Sequence, residues 1–306
     1  MEFLYALENI RTPVLDAVMS AVTQLGGEMV YMAAAIVIFW CVSKGLGYYI
    51  LTVGFAGTVL NQFLKITCRI PRPWVQDPEF TIVESARAKA TGYSFPSGHT
   101  QNAFASFGCL GMWSRRALWR AVCAVIILLV AFSRMYLGVH TPLDVGVSLV
   151  TGLVLTLALW PLFRDIEEHP RRMYAALGIM LGLTLAYLLY VTLYPFPAGT
   201  DAENLASALE NGYKLLGAGA AMLLSYALDR KYIHFDTAAP LAAQVLKCVI
   251  GLALVMAIRA GLKSPFYALF GAGGVADAAR YFITVFFAAA VWPMTFRLFG
   301  RIGAGK

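Results

Sequence analysis

Charge is scarce in this 306-residue chain, with Asp, Glu, Lys and Arg at 13% against 59% hydrophobic residues. A water-soluble protein of that length would lack the polar residues to cover its surface, so a soluble globular fold is excluded. Cysteine is thinly spread: Cys41, Cys68, Cys109, Cys123 and Cys248 stand singly, so no zinc-type pairing or disulfide framework is visible and they read as small buried hydrophobes. The usual secretory pattern is lacking too, since Glu2, Glu8, Arg11 and Asp16 interrupt the first stretch and no small-residue cleavage site follows, so no leader is expected. The formal net charge is +7, yet the basic residues sit between apolar runs rather than in one soluble patch, and no nucleic-acid partner is expected.

Long apolar runs are what the chain has in quantity. They cover about 28–43, 46–64, 100–114, 117–133, 143–163, 173–194, 213–228, 241–260 and 281–299, and predict about nine membrane spans. The expected fold class is all-α, a polytopic transmembrane helical bundle in an integral membrane protein. Ahead of the first run, Leu4, Ile10, Val14, Leu15, Val18 and Val22 predict an amphipathic interfacial helix over 1–26. A core bundle over 27–165 and additional C-terminal spans over 166–306 complete the expected organisation. Lys44, Arg115, Arg116, Arg120, Arg164, Arg171, Arg172, Arg230, Lys231, Arg301 and Lys306 fall in one set of loops. Apart from the loops between residues 65 and 144, the opposite set carries fewer, chiefly Lys214, Arg259, Lys263 and Arg280, beside Asp201, Glu203 and Glu210. The positive-inside rule puts the first set in the cytoplasm.

Three short strings between residues 65 and 144 stand out from the apolar background. They are Lys65 with Arg72-Pro73, then Pro96-Ser97-Gly98-His99, then Ser133-Arg134 followed by His140 and Asp144. In the span scheme they gather at one membrane face, the extracytoplasmic one. Together they supply three cations, two histidines and a carboxylate, the parts needed to hold a phosphate, attack it and protonate its leaving group.

The three strings, at spacings Lys-x6-Arg-Pro, Pro-Ser-Gly-His and Ser-Arg-x5-His-x3-Asp, resemble the signature region of the type 2 phosphatidic acid phosphatase superfamily. Thr91-Gly92-Tyr93-Ser94-Phe95 is similar to the corresponding stretch of bacterial members, and the C-terminal spans are broadly similar to those of sphingosine-phosphate and glucose-6-phosphatases. The resemblance implies a bacterial-type membrane phosphatase acting on a phosphorylated lipid, monoester or diphosphate, among membrane lipids, with a phosphohistidine formed on His140. A phosphotransferase on the same site, a sugar-phosphate phosphatase and a non-catalytic lipid binder are the alternatives.

The residues also speak for themselves. Thr141-Pro142-Leu143-Asp144 is a helix start, in which Asp144 either closes a capping box or accepts a hydrogen bond from one His140 nitrogen and leaves the other to attack. His99 is the expected general acid and later base. Lys65, Arg72 and Arg134 would neutralise phosphoryl oxygens, while Gly98 lets backbone approach and Ser97 caps a helix whose N-terminus favours an anion. Ser133 either hydrogen-bonds phosphate or closes its own helix. No carboxylates at divalent-metal spacing accompany these groups, so a reaction without metal or other cofactor is expected. The loop from Trp74 to Phe95 reads either as a lid or as an interfacial segment.

Overall fold

The computed structural model describes residues 1–300; Arg301 and Lys306, counted above among the cytoplasmic charges, lie outside them. Two short helices, α1 (Glu2–Asn9) and α2 (Pro13–Gln24), precede α3 (Glu28–Cys41), α4 (Lys44–Cys68) and a single turn, α5 (Pro73–Gln76). A loop containing one 3-10 segment, Glu84–Lys89, leads to α6 (Gly98–Ala103), a π segment (Phe104–Gly108) and α7 (Cys109–Trp113). The long helices α8 (Ala117–Tyr136), α9 (Pro142–Phe163), α10 (Pro170–Leu193), α11 (Ala202–Leu228) and α12 (Leu241–Gly261) follow, then α13 (Lys263–Phe270), α14 (Gly274–Phe286) and α15 (Phe296–Gly300). There is no strand among the described residues.

Among the described residues six helical stretches are long and apolar enough to cross a membrane, and a seventh is added if α2 and α3, bent by 42°, make one broken span. The predicted stretches that fall short are 28–43, 100–114 and 213–228, all of them helical. The first is a helix of only 14 residues, the second is interrupted by a π segment, and the third carries Lys214 and belongs to α11, whose earlier turns hold Glu203 and Glu210. The single amphipathic helix predicted over 1–26 is instead two helices. Thr12 caps the second through its side chain and Pro13 opens it, because proline has no N–H to lose at a first helical position. Leu4 of α1 is buried against Phe80 and Ile82 rather than facing lipid, while Val14 and Val18 of α2 remain exposed.

The chain divides into two compact units. The first comprises 1–34, 49–164 and 196–207. In it α8 packs on α2, α6 and α9, and the Tyr49 ring lies tilted against Trp160 and Phe163. Glycine permits one contact that bears on the site: a Cβ at Gly26 would lie 2.5 Å from the His99 carbonyl oxygen, so small size lets the α2–α3 turn press on the start of α6. The second unit comprises 35–48, 165–195 and 208 onward. Here Lys44 pairs with Asp229 at 2.7 Å and buried Lys247 donates to the Trp40 carbonyl. It also brings Cys41 and Cys248 together, their sulfurs 3.2 Å apart as free thiols, whereas the sequence reading had all five cysteines standing alone.

Candidate active site

Helix ends of the first unit deliver the three strings. Lys65 lies in the last turn of α4, Arg72 opens α5, Ser97 caps α6 with Gly98 and His99 in its first turn, Arg134 lies in the last turn of α8, and Thr141 caps α9. Arg72, Arg134, His140 and Asp144 are 6%, 1%, 2% and 0% exposed, so none of these polar groups is a solvated surface residue.

Arg72 is the hub. Its Nε donates to the Gly92 carbonyl (3.1 Å), Nη2 to the Thr91 carbonyl (2.7 Å) and Nη1 to the Val139 carbonyl (2.9 Å). Nη1 also lies 3.1 Å from His140 Nε2. A guanidinium has donors only, so Nε2 meets it with a lone pair, and the proton of the neutral ring belongs on Nδ1. Nδ1 faces Asp144 Oδ2 at 3.4 Å. Burial first, then the charges of Arg72, Arg134 and Lys65 with His99 behind them, push His140 well below the usual imidazole range. The ring is thus neutral at neutral pH.

Asp144 closes the capping box and also lies beside His140. Its Oδ2 accepts from the Thr141 N–H at 2.7 Å while Thr141 Oγ1 accepts from the Asp144 N–H at 3.2 Å, a complete capping box, and the same oxygen faces His140. Aspartate is short for this reciprocal cap, and the geometry succeeds with Pro142 fixing the first turn. A second donor, Ser94 Oγ, reaches Oδ2 at 2.5 Å and sits 3.5 Å from His140 Nδ1. Asp144 Oδ1 is buried and has no hydrogen-bond partner among the described residues.

The remaining residues are placed as follows. Lys65 Nζ donates to the Tyr93 carbonyl. Arg134 Nη1 donates to Thr23 Oγ1 at 2.8 Å, and its buried Nε has no hydrogen-bond partner among the described residues. Ser97 Oγ accepts from Thr100, and its N–H donates to the Asp144 carbonyl at 3.2 Å, tying α6 to α9. A Cβ built at Gly98 would meet nothing within 4 Å, so the backbone there borders open space. His99 is half-buried. Ser133 turns back onto its own helix, its Oγ donating to the Val130 carbonyl at 2.7 Å.

The loop between α5 and α6 is pinned down. Phe80, Ile82, Ala86 and Ala90 are buried, Ala86 and Ala90 against Tyr136, Leu137 and Val139, and the Val83 N–H donates to the Leu137 carbonyl. Arg11 holds it from the N-terminal side, donating to the Thr81 and Tyr136 carbonyls. Ser94, Thr23 and the three loop carbonyls were absent from the sequence reading of the site. Ser94 stood within the quoted stretch 91–95, but Thr23 comes from 111 residues away and leaves no local signal. Among the described residues no group of three or more His, Cys, Asp or Glu is arranged to hold a metal ion.

A family profile described as the PAP2 superfamily matches residues 45–168, and one described as PAP2 superfamily phosphatase, transmembrane extension, matches 213–304. The chain is 29% identical over 171 residues to undecaprenyl-diphosphatase BcrC of Bacillus subtilis, covering 54% of this chain and 84% of that protein. It is 28% identical over 178 residues to phosphatidylglycerophosphatase B of the same species, covering 53% and 80%. Similarity to sphingosine-1-phosphate phosphatase 1 of Rattus norvegicus is 25% over 255 residues, 79% of this chain and 58% of that protein. No solved structure matches.

Proposed function

Because the chain belongs to the PAP2 superfamily, we propose that it is a membrane phosphatase whose substrate is a phosphorylated lipid, attacked by His140 Nε2. The single observation carrying this reading is the state of His140: neutral, its Nε2 lone pair directed at Arg72 and its Nδ1 at Asp144. A phosphate arriving at Arg72 takes over guanidinium donors and leaves Nε2 facing phosphorus. The P–N bond then forms as the P–O bond to the lipid breaks, His99 gives its proton to the departing oxygen, and Asp144 holds the Nδ1 proton of the phosphorylated ring. Water attacks the phosphohistidine with His99 as base, releasing phosphate. Lys65, Arg72 and Arg134 offset the charge on the three equatorial oxygens, and the open space at Gly98 admits one of them to the first turn of α6. In this reading the reaction runs without metal.

The relatives named for undecaprenyl-diphosphatase, phosphatidylglycerophosphatase and sphingosine-phosphate phosphatase support a lipid phosphate or diphosphate as substrate. The likeness of residues 91–95 to bacterial members supports a bacterial cell membrane protein, and the loop charges support this site on the extracytoplasmic face. Nine spans remain part of the proposal, and one of the three beyond the six has a topological reason. Lys65 and Arg134 both lie at the C-terminal ends of their helices, so the chain must return between them, and 98–113 is the helical stretch that does so. The test is trapping of radiolabelled phosphoenzyme after an acid-free quench. Wild-type protein and the His99→Ala variant with a good-leaving-group substrate should carry label, and His140→Ala should carry none. Label retained in His140→Ala would sink the mechanism.

A further inference from the structure

Two cysteines of the second unit meet although 207 positions of sequence separate them. Cys41 closes α3 and Cys248 lies in α12, and their sulfurs stand 3.2 Å apart as free thiols. A disulfide places its sulfurs about 2.05 Å apart, so bonding asks for a shift on the order of 1 Å in side chains already in contact. Both residues are half-buried, whereas Cys109 and Cys123 are buried and exposed Cys68 belongs to the first unit. A packing role alone is served by complete burial, as at Cys109 and Cys123.

The backbone around this contact is fixed on both sides. Lys247, the residue before Cys248, donates from Nζ to the carbonyl of Trp40, the residue before Cys41, at 2.9 Å and to the Thr237 carbonyl at 3.2 Å. Gln244 Nε2 reaches the same Thr237 carbonyl at 2.7 Å, and Trp292 Nε1 donates to the Lys247 carbonyl at 3.2 Å. Further along α12 a Cβ at Gly251 would sit 2.6 Å from Trp40 Cζ3, so glycine lets the two helices approach. Lys247 is fully buried. Its ammonium, held on the peptide unit that joins Trp40 to Cys41, supplies positive charge beside a thiolate as it forms.

We propose that Cys41 and Cys248 are a redox-active dithiol, a modification site that a small peroxide oxidises to a reversible disulfide stapling α3 to α12. One thiolate attacks a peroxide oxygen; the O–O bond breaks, a sulfenic acid forms, and the released hydroxide takes up the thiol's proton as water. The second sulfur attacks the sulfenic sulfur, the S–S bond forms as the S–O bond breaks, and a second water leaves with the second thiol's proton. Two thiols are oxidised and one peroxide is reduced to two waters. A dithiol reductant reverses the bond by exchange. Cys41 stands three residues before Lys44, in the loop set that the positive-inside rule gives to the cytoplasm. Thiols are kept reduced there, so the pair rests as the dithiol and its disulfide records oxidant.

The test uses the full chain in detergent, reduced, exposed to hydrogen peroxide, then alkylated and digested with trypsin for mass spectrometry. Peptides 12–44 and 248–259, which carry Cys41 and Cys248, should appear as one cross-linked species that dithiothreitol separates. The cross-link should be absent in Cys41→Ser and in Cys248→Ser. In chain unfolded in SDS before oxidation its yield should fall about tenfold or more, because only the fold brings the two sulfurs together. Peroxide treatment of the folded chain that leaves both peptides separately alkylated, or carries each to sulfinic acid unlinked, would overturn the proposal and leave the two thiols as packing groups. A cross-link confined to species of doubled chain mass would overturn it too.

Discussion

His140 is held between three cations and a carboxylate, and the balance among them sets its titration. Burial and the cations keep its pKa below the ordinary value, so the acid limb of kcat/KM that belongs to His140 should lie below about pH 6.5. Lys65→Met removes one of those charges and should move that limb upward in pH; a limb that stays in place would show that Lys65 does not act on the ring. Stability follows the same sign. The unfolded chain binds the proton more readily than the fold does, so stability is fully present above about pH 6.5 and declines as pH falls toward the depressed folded value. Ser94 makes a separable prediction. Ser94→Ala removes a donor from a buried carboxylate, a loss of about 1.5–3 kcal/mol, and should lower kcat by about tenfold or more with KM little changed, while Ser94→Thr should recover most of it. Equal activity in all three proteins would mean that the hydroxyl only fills space. The strings themselves were legible because phosphoryl chemistry demands particular side chains. Ser94 was not, because its partners are 46 and 50 residues away and nothing local marks a serine as a donor to a distant carboxylate.

The elements of the site differ in what holds them. The segment between α5 and α6 could be read from sequence either as a lid or as an interfacial loop, since its length and aromatics suit both. Burial of Phe80, Ile82, Ala86 and Ala90 makes it a strap. Its far end offers the Thr91, Gly92 and Tyr93 carbonyls to Arg72 and Lys65, so the position of the strap and the aim of the cations are coupled. Phe80→Ala should cost about 3–5 kcal/mol locally. Tryptic cleavage after exposed Arg87 should accelerate, and kcat/KM should fall even though Phe80 touches none of the catalytic groups. Unchanged proteolysis with unchanged activity would uncouple the two. The N-terminal segment was only half legible: its apolar spacing suggested a face for lipid, yet Leu4 has its partners in the strap, a contact that no helical periodicity can reveal.

At the scale of the whole molecule, the helical class and the six strongest spans were plain from apolar run length, and the remaining count was not. Short or polar helices such as α3 and α11 owe their place to neighbours rather than to their own hydropathy. Sidedness is directly measurable. A single cysteine at Asp77 in a cysteine-free background should react with an impermeant thiol reagent from outside intact cells, and one at Ser114 should not. The reverse pattern would put the site in the cytoplasm. Substrate class follows from depth. With the site at helix ends, kcat/KM for phosphate monoesters in mixed micelles should rise with chain length, by about 0.8 kcal/mol for each further methylene that becomes buried. Glucose 6-phosphate turned over as well as the best long-chain substrate would favour the sugar-phosphatase alternative.

The capping box at the start of α9 has a consequence for how this protein tolerates change. One oxygen of Asp144 closes the helix and steadies the histidine, so the codon for residue 144 serves two selective pressures at once. In a deep mutational scan that scores cellular abundance and turnover separately, substitutions at His140 should scatter along the turnover axis alone. Those at Asp144 should fall along the diagonal, losing protein and activity together. No second-site change that restores the helix start alone can bring back turnover there, which leaves the lineage little freedom to drift at this position.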